Sequence, residues 1–271
     1  MMIYLNGDYI EEADAVISPF DHGFLYGVGL FETFPIHGEQ PFLLTKHLDR
    51  LRASLKDLAI NWAHTEESIR EILDNLLRLN GLEDAYVRLN VSGGAAPVGL
   101  PAEGYASPTT IIFMKPLASQ IPVPEKSGVI LDTPRNTPEG PYRMKSHHFL
   151  NNILAKAEIG PKTEIEGIFL TQDGFLAEGI VSNLFFARDG ILHTPDLGTG
   201  ILNGITRQYL LKRANEAGIP CVEGFFTASD LLAADEAFVT NSIFGIASLK
   251  SVEGHAYHSR EIAKRLIKFL P

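Results

Sequence analysis

A chain of 271 residues, 45% of them hydrophobic, is long enough for one large or two ordinary domains with filled cores. Its net charge of -10, from 33 acids against 23 bases with no concentrated basic stretch, argues against a nucleic-acid surface or an anionic membrane and favours small-molecule chemistry. No apolar run approaches the roughly 20 residues that cross a bilayer. The start Met1-Met2-Ile3-Tyr4-Leu5-Asn6-Gly7 lacks the basic residues of a secretion signal, so a cytoplasmic location is expected. The single cysteine, Cys221, leaves no internal disulfide and no cysteine-based metal cluster, and reads as a small buried apolar residue.

The chain opens with strand-like alternation around a turn at Asn6-Gly7-Asp8, and a second turn at His37-Gly38-Glu39 separates a strand at 31–36 from an extended stretch at 41–44. Thr45 is expected to cap a helix with Leu48, Leu51, Leu55 and Leu58 on one face. Thr65 opens another, carrying Ile69, Ile72, Leu73, Leu76 and Leu77, which stops at Gly81. Residues 86–91 and 109–114 read as strands on either side of a Gly/Pro/Ala-rich loop from 93 to 108, completing an N-terminal α+β domain over 1–116. The proline-rich stretch 117–128 is the expected linker. Beyond it, 129–271 forms a second α+β domain, with short strands at 129–133, 167–171 and 184–187, turns at Gln172-Asp173-Gly174 and Arg188-Asp189-Gly190, and interleaved helices.

Several residues in this second part carry chemistry. Lys145 precedes a segment in which Phe149, Leu150, Ile153, Leu154 and Ala157 recur at helical spacing, so it is expected at the start of that helix. A helix N-terminus disfavours a cation and lowers its pKa, which suits a Schiff-base amine; taken alone, the residue reads as an ordinary exposed lysine. Glu178 lies in the apolar segment Phe175-Leu176-Ala177-Glu178-Gly179-Ile180-Val181 and, if buried, needs a cationic partner. A protonated pyridine nitrogen would serve, because the carboxylate turns the ring into an electron sink; on a solvent face it would be an unremarked carboxylate. Gly204-Ile205-Thr206-Arg207 precedes a helix with Tyr209, Leu210, Leu211 and Ala214 that ends near Gly218. Its N–H groups could bind phosphate, with Thr206 both capping the helix and offering its hydroxyl. Thr240-Asn241-Ser242, at the end of an apolar strand, offers further donors. Arg50, in His47-Leu48-Asp49-Arg50-Leu51, sits beside the apolar stripe of the first helix, placed either to reach an anion or to snorkel to a surface acid.

Together these residues resemble the fold-type IV pyridoxal-phosphate enzymes, the family of branched-chain aminotransferases, D-amino acid aminotransferases and 4-amino-4-deoxychorismate lyases. The resemblance begins at Asn6-Gly7 and Ser18-Pro19-Phe20-Asp21-His22-Gly23, continues through Tyr26-Gly27-Val28-Gly29-Leu30-Phe31-Glu32-Thr33 and His47-Leu48-Asp49-Arg50-Leu51, and includes the later motifs. It implies a smaller N-terminal α/β sandwich, a larger barrel-like C-terminal α+β domain, and a homodimer. It also implies that Lys145 bonds pyridoxal 5′-phosphate and shuttles protons, and that Glu178 binds the pyridine nitrogen. Arg50, Ile205, Thr206 and Ser242 would hold the phosphate. Leu202 would pack under the ring, and Ser182 and Asn183 would join the hydrogen-bond shell.

Within the family the residues look more like the lyase, which would convert 4-amino-4-deoxychorismate to 4-aminobenzoate and pyruvate for folate synthesis, than like an aminotransferase for branched-chain or D-amino acids. Phe31-Glu32-Thr33-Phe34 resembles the lyase motif, where branched-chain enzymes usually have glycine at Thr33, and a catalytic role of the Thr33 hydroxyl on the leaving group is implied. Pro97-Val98-Gly99-Leu100 lacks the arginine and histidine with which D-amino acid aminotransferases grip a carboxylate, and Lys145-Ser146-His147-His148-Phe149-Leu150-Asn151-Asn152 resembles the lyase form. Pro35 departs from the basic residue of many relatives. Arg88 is then the first candidate for a substrate carboxylate, with a strand arginine paired across the sheet as the alternative, and Arg143 the second; Asn241 is a further substrate-binding candidate.

Overall fold

The computed structural model describes residues 1–118 and 124–271; positions 119–123 of the expected linker lie outside the described residues. The chain separates into two compact units. One comprises Met1–Ala118 with Met144–His148, the other Ser119–Arg143 with Phe149–Pro271.

In the first unit, β1 (Met2–Leu5) and β2 (Asp8–Glu11) form a hairpin whose tight turn places Asn6 and Gly7 at φ of 49° and 111°. A short helix, α1 (His22–Tyr26), leads to β3 (Gly29–His37), which turns at Gly38 and Glu39 into the two-residue β4 (Gln40–Pro41). The extended stretch expected at 41–44 ends there, because Leu43 takes a left-handed conformation and α2 (Leu44–Asp57) starts at the next residue. Thr45 therefore does not cap α2. It sits in the first turn, and its hydroxyl donates to Glu66 at 3.0 Å. In α3 (Glu66–Asn80) the expected cap is present: Thr65 accepts from the Ser68 N–H at 3.2 Å, and Gly81 closes the helix at φ 64°.

With β5 (Ala85–Ser92) and β6 (Thr109–Pro116), the sheet runs β2-β1-β6-β5-β3-β4. Side chains alternate across a strand, so Leu30, Phe34 and Ile36 of β3 and Val87, Leu89 and Val91 of β5 share one face. They form a single core with Leu48, Leu51 and Leu55 of α2 and Ile69, Leu73 and Leu76 of α3. The unit is the α/β sandwich expected.

The second unit begins with β7 (Glu125–Ile130), so part of the expected linker is a strand. Glu125-Lys126-Ser127-Gly128 has weak strand propensity, but it lies between two parallel neighbours that supply the hydrogen-bonding register. There follow α4 (Leu150–Ile159), β8 (Ile165–Leu170), β9 (Leu176–Gly179), β10 (Asn183–Arg188) and β11 (Ile191–Pro195). Next come α5 (Ile205–Glu216), β12 (Cys221–Gly224), α6 (Ala228–Leu232), β13 (Glu236–Asn241), β14 (Gly245–Val252), β15 (His255–Ala256) and α7 (Glu261–Leu266).

The strands run β10-β13-β14-β7-β8-β9, and β9 pairs back onto β10 through Glu178 and Asn183, closing a barrel. Leu184, Phe186, Val239, Ala247 and Leu249 pack on one face of its wall, and Phe185, Phe238 and Ile246 pack on the other against Leu210 and Ala214 of α5 and Leu266 of α7. Cys221 is half-buried at the edge of the latter cluster.

Candidate active site

In the first unit, β3 and β5 run antiparallel with Phe31 opposite Asn90 and Thr33 opposite Arg88. Period-two alternation turns Glu32 to the helix side and Phe31 and Thr33 to the other. On the helix side, Glu32 is 1% exposed. It accepts from His47 Nδ1 at 2.6 Å and from Arg50 Nε and Nη2 at 2.8 and 2.6 Å. Burial alone would raise its carboxyl, but the Arg50 charge and then the His47 hydrogen bond and charge bring it down to about 2. Burial drives His47 the other way for a base, below the ordinary imidazole value. Arg50 is thus no snorkelling arginine, since a buried carboxylate takes its Nε–Nη2 edge bidentately and fixes the plane of the guanidinium. Glu32 and His47 were not singled out from sequence; the signal available was a glutamate in phase with Leu30, Phe34 and Ile36 on a core face.

On the opposite face of the sheet lies Lys145, and its setting corrects an expectation. It does not start a helix, because α4 begins only at Leu150. The Phe31 N–H donates to the Lys145 carbonyl at 2.9 Å and the His147 N–H to the Gly29 carbonyl at 2.9 Å, so the peptide groups here extend the sheet and are lost to a helix. Lys145 Nζ lies 4.3 Å from the centroid of the Phe31 ring, and the Arg88 guanidinium lies 3.7 Å from the same centroid. His147 is stacked on that ring at 6.3 Å, and burial followed by the Arg88 charge brings its pKa down to about 4. Arg88 donates from Nε to Asn90 Oδ1 at 3.1 Å, and burial lowers its pKa; among the described residues no carboxylate pairs with it.

In the second unit, Glu178 is 4% exposed and has the cation its burial demands. Arg135 donates to Oε1 from Nε at 2.8 Å, while the Leu202 N–H and Asn183 Nδ2 donate to Oε2 at 3.0 and 3.3 Å. Sequence reasoning missed Arg135, which sits in the non-periodic stretch Pro134-Arg135-Asn136-Thr137-Pro138. The demand of a buried acid for a base was the only hint.

Asn183 also donates to the Leu202 carbonyl at 2.8 Å, whereas the Ser182 hydroxyl donates to a second buried acid, Glu166, at 2.8 Å. Arg143, a candidate for a substrate carboxylate, lies 3.7 Å from Glu178 Oε1 through its Nε. Its Nε donates to the Gly200 carbonyl at 2.5 Å, Nη1 to Asn136 Oδ1 at 3.3 Å and Nη2 to the Asn136 carbonyl. Burial, then the Arg135 charge, lowers its pKa to about 10. In Asn241, Oδ1 accepts from the Ile243 and Phe244 N–H groups at 2.9 and 3.0 Å, and Nδ2 donates to the Val181 carbonyl at 3.3 Å, so its amide holds a turn.

The N-cap of α5 is Gly204, which makes no side-chain cap hydrogen bond. Thr206 lies inside the helix and does not cap it; its hydroxyl is 3.3 Å from Ser242 Oγ. The Thr240 hydroxyl is buried without a partner among the described residues. Gly204 is required, since a Cβ there would strike the Asn183 carboxamide.

These residues fit pyridoxal phosphate. In the second unit, a helix N-terminus with the adjoining hydroxyls of Thr206 and Ser242 has the donor chemistry for a phosphate, and Glu178 is a buried carboxylate suited to a pyridinium; in the first unit, Lys145 is a primary amine.

The class IV amino-transferase family model matches residues 29–252, and the chain belongs to that family, whose members are pyridoxal 5′-phosphate enzymes. An aminodeoxychorismate lyase of Bacillus subtilis is 48% identical over 261 residues, covering 96% of this chain and 89% of that one. A D-alanine aminotransferase of Listeria monocytogenes is 29% identical over 264 residues, covering 94% and 88%. Among solved structures, the branched-chain aminotransferase of Thermoproteus uzoniensis superposes with a TM-score of 0.89 at 27% identity, covering 99% of this chain and 94% of that one. The fold implied by the motifs is therefore the fold observed.

Proposed function

We propose that the chain is a pyridoxal-phosphate-dependent lyase that converts 4-amino-4-deoxychorismate to 4-aminobenzoate and pyruvate. The observation that carries this reading is the 48% identity to an aminodeoxychorismate lyase along nearly the whole chain, against 29% for a D-alanine aminotransferase over a similar span. Bound pyridoxal phosphate supplies the electron sink for the charge left when the proton on the amine-bearing carbon departs. Lys145 is the amine that holds the cofactor, and its Nζ takes that proton. The ether bond to the enolpyruvyl group then breaks with its electron pair on the leaving oxygen, the enolate takes up a proton and departs as pyruvate, and the ring becomes aromatic.

Thr33, whose strand position is opposite Arg88, acts on the leaving group through its hydroxyl, and Arg88 binds a substrate carboxylate. Glu178 is the carboxylate for the pyridine nitrogen, oriented by Arg135 and Asn183. Arg50, oriented by Glu32, is a phosphate ligand, as are Ile205, Thr206 and Ser242; Leu202 packs against the cofactor ring. A cytoplasmic homodimer completes the reading. It is supported by the family resemblance and by exposed apolar residues such as Val16, Phe20 and Phe24, and by the lack of any described helix long and apolar enough to cross a membrane.

Purified protein given aminodeoxychorismate and no keto acid is expected to release 4-aminobenzoate and pyruvate in equal amounts. Turnover that appears only when an amino acid and a keto acid are both supplied would instead make it an aminotransferase. The long-wavelength absorbance of the lysine-bound cofactor is expected to vanish in Lys145→Ala, and its persistence there overturns the role of Lys145.

A further inference from the structure

We propose that Asn90 is a specificity-determining residue, whose carboxamide orients Arg88 and adds a second donor for a substrate carboxylate. The proposal rests on the reading of Arg88 as the carboxylate-binding arginine. Asn90 and Arg88 stand two residues apart on β5 and so share the face that carries Phe31 and Thr33 on β3.

The hydrogen bond from Arg88 Nε to Asn90 Oδ1, at 3.1 Å, decides which way the amide points. A guanidinium has donors only, so the atom facing it must be the oxygen, and the NH2 is turned to the other side. That Nδ2 is buried with no acceptor among the described residues, on a residue only 9% exposed. A leucine of similar volume would fill the same position on the sheet without leaving a donor unsatisfied, so the amide brings the fold no evident gain here. What it does bring is alignment. With Nε held by Asn90 and its Cζ 3.7 Å from the centroid of the Phe31 ring, Arg88 has a restricted orientation, and no described carboxylate neutralises it. A carboxylate bound by Arg88 would find the Asn90 NH2 as the donor for its remaining lone pairs, and a ligand without such an acceptor would leave that donor buried and unpaired. Discrimination by an unpaired buried donor is the stronger kind of selectivity available to a site.

The test compares steady-state kinetics of holoenzyme variants on aminodeoxychorismate, with the cofactor absorbance and thermal midpoint as controls. Asn90→Leu is expected to raise KM about tenfold with kcat changed by less than about threefold and the cofactor absorbance intact, as for loss of a hydrogen bond made equally in bound substrate and transition state. Asn90→Asp is expected to raise KM further, because its carboxylate would pair with Arg88 and compete with the substrate. Asn90→Ser gives the same reading as the leucine variant if that protein fails to fold. An Asn90→Leu enzyme whose KM stays within about twofold of the parent, while Arg88→Ala raises KM, overturns the role of Asn90 and leaves that of Arg88 standing. If Arg88→Ala leaves KM unchanged, the reading of Arg88 fails and this proposal falls with it.

Discussion

Glu32 is buried yet charged because Arg50 closes on it with two hydrogen bonds and His47 with a third. Removing the charge while keeping the shape leaves the arginine side chain, only 15% exposed, without its counter-ion. Glu32→Gln is therefore expected to cost roughly 3 kcal/mol of stability and to weaken cofactor binding at least about tenfold, measured by denaturant unfolding and by titration with pyridoxal phosphate. The folded value of about 2 lies below the ordinary 4.5, so the unfolded chain takes up this proton first as the pH falls. The stabilisation is complete above pH 4.5 and is lost as the pH drops toward 2, so the gap in stability between parent and variant should narrow across that window. A gap that does not change with pH would show that Glu32 is not the group titrating. Arg50 could be picked out from its place beside an apolar stripe, but its partner could not, because the two meet across 18 residues of chain through packing of α2 on β3.

At the scale of elements, the segment 144–148 matters most, since it presents Lys145 as an added strand beside β3 and not as the start of α4. Helical periodicity from Phe149 onward was legible, but where the helix begins was not. Backbone groups follow whichever partner is nearest, and β3 supplies one to residues 145–147. The close fit needs a glycine, because a Cβ at Gly29 would overlap the His147 ring. Gly29→Ala is expected to push this segment off the strand and lower kcat/KM at least about tenfold, with the thermal midpoint falling only a few degrees. Equal activity in the two proteins would show that the position of Lys145 does not depend on this pairing. α5 teaches a related point: Thr206 looked like a cap, yet Gly204 takes that position and Thr206 turns its hydroxyl toward Ser242.

For the molecule as a whole, each unit is stabilised by its own core, and in the barrel unit the wall packs on both faces. Phe185 and Phe238 stack at 5.3 Å with 9° between their planes, both fully buried beneath α5. Phe185→Ala is expected to destabilise the protein by about 3–5 kcal/mol, read from denaturant unfolding, because the cavity left by the ring cannot collapse between a strand and a helix. A loss below about 1 kcal/mol would mean that the wall repacks freely.

By itself, the sequence determined the repeating elements, the α/β sandwich core and the order of the chemically suited residues Arg50, Lys145, Glu178, Thr206 and Ser242. Those depend on the periodicity of side chains and on what each side chain can do, both of which are local. The tertiary structure decided the counter-ions and the closures: Arg135 on Glu178 across 43 residues, Glu32 on Arg50, Asn90 on Arg88, and β9 completing the barrel. A buried charge or an open strand edge requires a partner, but which residue meets that requirement depends on where distant parts of the chain pass one another, and that is set by the packing of the whole fold.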